Sequence, residues 1–344
     1  MKLYKQILFI LIVFFKTETL LSENNLFNVN NIQLEKKDKF SNNDLANQAI
    51  KTGFNQLIEK ILLKADGDRL KDLDFSSIKQ LVTYYQITNA SGEKKNEELV
   101  NFSVTFDKDK IHDLFYKRGI SYSEISDKEL YILPIYIQDN EIYIFNNNFF
   151  YEKWNGVYQT DLIEFILPLE NIEIIQKINK YKDNLIDLRI SNLLQEYSNK
   201  NLALVIIENN KKVYIKTFIQ GKNISKSIGF KKNNMVTEKN YEEIITVTKK
   251  ELINLVKSEN LIDIRTPSFL NAKLDLNKKS NLVELNLRIK KIDLIENVYV
   301  QDFNKDFVNL RIKYLGKLEK IINQLKKENI NLQLINDQWT IKTL

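Results

Sequence analysis

The 344-residue chain contains no cysteine. That removes disulfides, a lipid-modified amino-terminal cysteine, zinc–thiolate sites and thiol nucleophiles together. There is one histidine, His112, which would have to serve alone in any catalytic triad or transition-metal site. It follows Ile111 on a predicted helix whose apolar positions point elsewhere, so a solvent-facing side chain is expected. The eight glycines are scattered, no two close enough to form a phosphate-cradling loop, and nucleotide fingerprints are absent. No cofactor or metal is expected.

Arginine is also scarce. Of 51 basic residues only Arg69, Arg118, Arg189, Arg265, Arg288 and Arg311 carry the forked guanidinium that phosphate and base recognition favours, and they stand one at a time. Lysine travels instead with abundant asparagine and isoleucine, the amino acids of A/T-rich codons. The net charge of +6 is therefore ascribed to nucleotide composition, and nucleic acid is not an expected partner. A weak attraction to anionic membrane surfaces fits that charge.

What is present begins with Lys2 and Lys5 ahead of the apolar run Ile7 to Phe15 and the segment "TLLSENN". A basic flank, a short apolar stretch and a small residue near Ser22 are the parts of a secretory signal peptide. As a helix the run rises only about 14 Å, short of a hydrocarbon core of roughly 30 Å. Residues 1–22 are read as removed on export to the periplasm, the rival reading being an uncleaved membrane anchor. No other long apolar segment follows, so no transmembrane span is expected after signal removal.

An alternating stretch from Leu26 predicts a strand, and Ser41 or Asn42 then caps a long helix. Its apolar face runs through Ala46, Ala49, Ile50, Gly53, Phe54, Leu57, Ile58, Ile61 and Leu62. The helix is expected to stop at "KADGDR", with Gly67 as the left-handed terminator. A calcium loop is disfavoured there, because counting from Asp66 puts Lys71 at the turn-glycine position and Ser77 where a bidentate glutamate belongs. Two strands, "QLVTYYQIT" and "ELVNFSVTFD", a helix over 107–117 closed by Gly119, and two strands around Asp139-Asn140 complete a module at 23–147. Residues 149–201 read as mainly helical. "LALVIIE" and "KVYIKTFI" are strands, "GKNISKSIGFKKNN" a polar connection, and 242–257 a helix, giving a second module at 148–262. From 263 to 344 the order strand, helix, two strands, helix, and a final strand or hairpin is ferredoxin-like. The expected fold class is α+β, built of several small antiparallel-sheet modules with packed helices.

These landmarks in this order resemble a family of exported proteobacterial proteins catalogued as domain of unknown function 2066. The likeness rests on "ANQAIKTGFNQLIEKILLKADGDR", "NFSVTFDKDKIHDLFYKRGI", "YILPIYI", Trp154 with Asp161, and "FVNLRIKYLGKLEKIINQL" with Trp339. The resemblance implies export and this fold, and brings no activity.

Candidate chemistry is sparse. The pairs Glu97-Glu98 and Glu242-Glu243 are adjacent in sequence, so their side chains diverge and ordinary solvated carboxylates are expected. In "FFYEKWNGVY" the residues Phe150, Trp154 and Tyr158 fall on one helical face. Exposed, that stripe would grip a sugar or a partner protein; buried, it would be a seam between modules, the reading favoured for such stripes. The functional expectation is a non-catalytic envelope docking, assembly or scaffold protein whose partner is an envelope protein or cell-wall component. The alternative is a periplasmic hydrolase of cell-wall polymers using carboxylate chemistry.

Overall fold

A computed structural model describes residues 26–36, 41–89, 98–125, 127–230, 238–276 and 281–344. The signal segment and Glu97 lie outside the described residues. The fold is α+β. The chain divides into two compact units, one formed by its two ends, up to Tyr122 and from Ile262 on, and one by Ser123–Leu261. Three consecutive modules were expected, with boundaries at 147 and 262; instead the strands expected to close the first module open the second unit.

In the first unit, strand β1 (Asn28–Lys36) precedes helix α1 (Asn42–Ile61), then the short helices α2 (Lys64–Asp68) and α3 (Phe75–Gln80). Strands β2 (Val82–Asn89) and β3 (Glu98–Phe106) complete an antiparallel sheet in the order β1-β3-β2, and helix α4 (Lys108–Arg118) follows. Ser41 caps α1 reciprocally with Asp44, satisfying a backbone donor at each. Gly53, in mid-helix, lets α1 rest on the sheet: a Cβ there would lie 2.9 Å from Ile32 Cδ1 and 3.4 Å from Val104 Cβ.

The expected stop at Gly67 is corrected. The helix ends six residues earlier, where Leu62 turns extended and buries its own side chain, and Gly67 sits inside α2. Gly119, at φ +61°, does close α4 in the left-handed region.

Strand β4 (Tyr122–Ser123) straddles the passage into the second unit. There β5 (Glu129–Gln138), β6 (Glu141–Tyr143), helix α5 (Phe149–Lys153), β7 (Glu164–Ile166), helices α6 (Ile172–Lys180) and α7 (Ile190–Leu193), β8 (Asn201–Glu208), β9 (Lys212–Ile219), β10 (Lys222–Gly229) and helix α8 (Glu238–Glu259) follow. The sheet order is β10-β9-β8-β5-β6, with β7 beside β5. Strand β5 runs parallel to β7 and β8, and the other pairs are antiparallel. Strand β8 is apolar at nearly every position because both sheet faces are covered. Ala203, Val205 and Ile207 face one core with α5 and α8, whereas Leu202, Leu204 and Ile206 face a second with α6 and α7. The polar "KNISKSIG", expected as a connection, is instead edge strand β10, paired to β9 through the left-handed turn Gln220-Gly221.

Strand β11 (Leu261–Ile262) marks the return to the first unit. There β12 (Ser268–Asp275), helix α9 (Asn281–Ile289), β13 (Ile295–Phe303), β14 (Phe307–Tyr314), helix α10 (Leu318–Lys327), β15 (Ile330–Ile335) and β16 (Gln338–Thr343) follow. The sheet order β13-β14-β12-β16-β15 is the ferredoxin-like order with one addition. The closing hairpin, turned at left-handed Asn336 and Asp337, inserts β16 between β12 and β15, parallel to β12. Residues from both ends of the chain, such as Phe27, Phe102 and Phe115 with Leu294, Ile312 and Ile321, belong to one continuous core.

Candidate functional site

The aromatic stripe is positioned by Asn148. Its Oδ1 accepts the Phe150 N–H at 3.1 Å and caps α5, while its Nδ2 donates to the carbonyls of Pro134, Tyr143 and Ile144 at 3.0, 3.1 and 2.9 Å. That amide fills a gap in the sheet. Strand β7 pairs with β5 only up to Tyr131 and β6 only from Tyr136, and Pro134, which has no N–H to leave unpaired, stands between them.

The helix so anchored is only five residues long and tightens into a 3-10 turn at Trp154–Gly156. Phe150 and Trp154 are fully buried, and Tyr158, at φ +49°, has left the helix and is half-buried. The three therefore do not form a partner-binding face. Nor are Phe150 and Trp154 a seam between modules; they belong to the core under α8 within one unit. The physical reason is the early end of the helix, which removes the four-residue period on which the stripe depended.

The residue that the aromatics surround is Lys249. Its side chain is 2 % exposed, its amine donates to the carbonyls of Val157 at 2.6 Å and Tyr158 at 3.4 Å, and it lies 5.0 and 5.8 Å from the ring centroids of Phe165 and Trp154. Among the described residues no carboxylate neutralises it, and burial pushes its pKa down to about 8. A solute cannot reach so enclosed an amine. What the arrangement does is clamp the 157–158 turn onto α8, with Lys250 over the Tyr158 ring at 5.1 Å. Sequence reasoning passed over Lys249, although it lies four residues after Ile245 and three before Leu252, on the buried period of the helix.

His112 is not solvent-facing as expected. It is half-buried, stacked on Tyr122 at 5.3 Å and edge-on to Phe27 at 5.6 Å, with Nε2 buried and unpartnered. Burial and, next, the charge of Lys108 push its pKa down to about 4. No nucleophile hydrogen-bonds to it among the described residues, so it has neither the partner nor the protonation behaviour of a general base near neutrality. Glu242 and Glu243 are exposed on α8. Among the described residues no group of three potential ligands could hold a metal ion, and no helix is long and apolar enough to cross a membrane.

The remaining candidate is a surface. Strand β2 is the outer strand of its sheet, and its second edge pairs with no strand among the described residues. Tyr84, Tyr85 and Ile87 are 56, 43 and 44 % exposed. Tyr85 and Ile87 sit opposite the buried Val104 and Phe102, so the apolar face under α1 continues onto β2 and emerges from cover there. The sequence "VTYYQITN" has no charge to repel a visiting strand. Comparison of the chain with protein-family models, with curated proteins and with solved structures gives no match.

Proposed function

We propose that this chain is a non-catalytic, exported protein of the periplasm that docks an envelope component, as an assembly factor or scaffold, through the free edge of β2. The observation that carries the reading is that edge: backbone donors and acceptors available for a further strand, beside aromatic and aliphatic side chains that a partner's alternate residues would cover. Strand addition of this kind takes affinity from main-chain hydrogen bonds and selectivity from side-chain pockets. The expected occupant is an extended segment of an envelope protein with apolar residues at every second position. The amino-terminal basic and apolar segment supports export, as does the resemblance to an exported family.

The test is affinity capture from periplasmic extract with the mature protein and its Ile87→Lys variant. A partner retained by the first and lost by the second supports docking at β2. Equal retention by both would refute the edge as the site, and turnover of cell-wall polymer by the purified protein would replace docking with the hydrolase reading.

A further inference from the structure

A cleft of about 450 Å³ opens in the second unit between the last turn of α6 and the stretch from Asp187 through α7 to Gln195. Lys177 and Lys180 project into it from α6, and Arg189, Asn192 and Gln195 from the following segment, against one carboxylate, Asp187. That carboxylate already accepts the side-chain amide of Asn184, and Lys177 donates to the Asn192 carbonyl at 3.1 Å. Lys180 and Arg189 make no side-chain hydrogen bond or ion pair among the described residues. Lys200 and Lys226 of this unit, by contrast, are spent on carboxylates, Glu129 at 2.6 Å and Glu251 at 2.5 Å.

The backbone here is held in place. Lys216 of β9 reaches across and donates to the carbonyls of Ile186 and Leu188 at 2.5 and 2.8 Å, fixing the residues that carry Asp187 and Arg189. The result is a concave, donor-rich wall with unspent positive charge, which raises the local concentration of anions. A guanidinium facing ammonium groups suits a phosphate, whose non-bridging oxygens accept from the guanidinium fork and from an ammonium group together. The volume lies within the range of small-molecule sites, roughly 300–1,000 Å³.

We infer that this cleft binds the phosphate group of a phosphomonoester or phosphodiester, either on a small polar molecule or on a lipid headgroup. The site is independent of the β2 edge.

The test titrates the whole protein at low salt with inorganic phosphate, with glycerol 3-phosphate and with glycerol, following heat and amide chemical shifts. Both phosphates should bind saturably at one site, and glycerol should not. Arg189→Gln and Lys180→Gln should each weaken binding about tenfold or more, while Lys239→Gln, on an exposed face of α8, leaves it unchanged. Co-sedimentation with phosphatidylglycerol vesicles separates the sources. Retention lost in Arg189→Gln and competed by glycerol 3-phosphate assigns a lipid headgroup, and no retention beside saturable titration assigns a soluble phosphate. Absence of saturable binding by either phosphate overturns the inference, as does a loss in Lys239→Gln equal to that in Arg189→Gln, which would mark diffuse attraction alone.

Discussion

The two units treat the edges of their sheets in opposite ways. In the second unit, β10 ends the sheet with Lys222 and Lys226, held by Glu259 and Glu251 of α8 at 2.8 and 2.5 Å, so that approach of another strand meets charge. In the first, β2 carries no charge and leaves two tyrosines and an isoleucine exposed. Natural sheets protect free edges with lysine, proline or cover, so an edge without such protection marks a place where association is tolerated or used. The same contrast holds inside. The second unit covers both faces of its sheet and encloses even a lysine, whereas the three-stranded sheet of the first leaves part of its apolar face uncovered at β2.

The contrast breaks most severely if the closed unit is hollowed out. Trp154→Ala removes a fully buried ring and should cost about 3–5 kcal/mol of stability in chemical denaturation. A loss under about 1 kcal/mol would mean that the ring is not core. A site that only gripped a ligand would lose binding and keep its stability.

Lys249→Met sharpens the same point with opposite sign. The folded-state pKa is depressed, so wild type bears the full cost of burying a charged amine at every pH below about 8 and is relieved as pH rises towards 10.5. The advantage of the variant over wild type should therefore be greatest near neutral pH and shrink by on the order of 3 kcal/mol between pH 8 and 10.5. An advantage that does not change across that window would show an amine already solvated or paired in the folded protein.

His112 offers the corresponding probe in the first unit. Its folded pKa, about 4, lies below the ordinary 6.5, so the unfolded chain takes up a proton first and stability drains as pH falls from 6.5 towards 4. His112→Phe should flatten that slope by about 2–3 kcal/mol, read from denaturation midpoints at several pH values. An unchanged slope would place the ring in water after all.

The smallest effect on stability is expected at the open edge. Ile87→Lys changes an exposed side chain and should shift stability by no more than about 0.5 kcal/mol. Lys226→Ile on β10 should in turn make the protected edge self-associate, measurable by sedimentation.

Much of the local structure could be read from residues. The cap at Ser41, the apolar face from Ala46 to Ile61, the left-handed stop at Gly119 and the turn at Asp139-Asn140 all follow from short-range chemistry. Strand β10 was missed because an edge strand with one polar face and lysines in it looks like a loop. The three-residue β7 is too short to show a period. The sharing of one core by the two ends is a long-range choice, and nothing in a local pattern says which apolar faces will meet. Of the site, the uncharged "VTYYQITN" has the pattern of an ordinary hairpin strand, and nothing local in it says that its outer edge stays open. Lys249 was signalled by helical period and obscured by the habit of placing lysine outside.

The central claim, that β2 is a working edge, is tested most directly by site-specific photocrosslinking in the cell. A photoreactive residue replaces Tyr85 in one protein and Lys226 in another. The account predicts a discrete adduct with an envelope protein from position 85 and none from position 226. Adducts of equal yield from both positions, or from 226 alone, would contradict it.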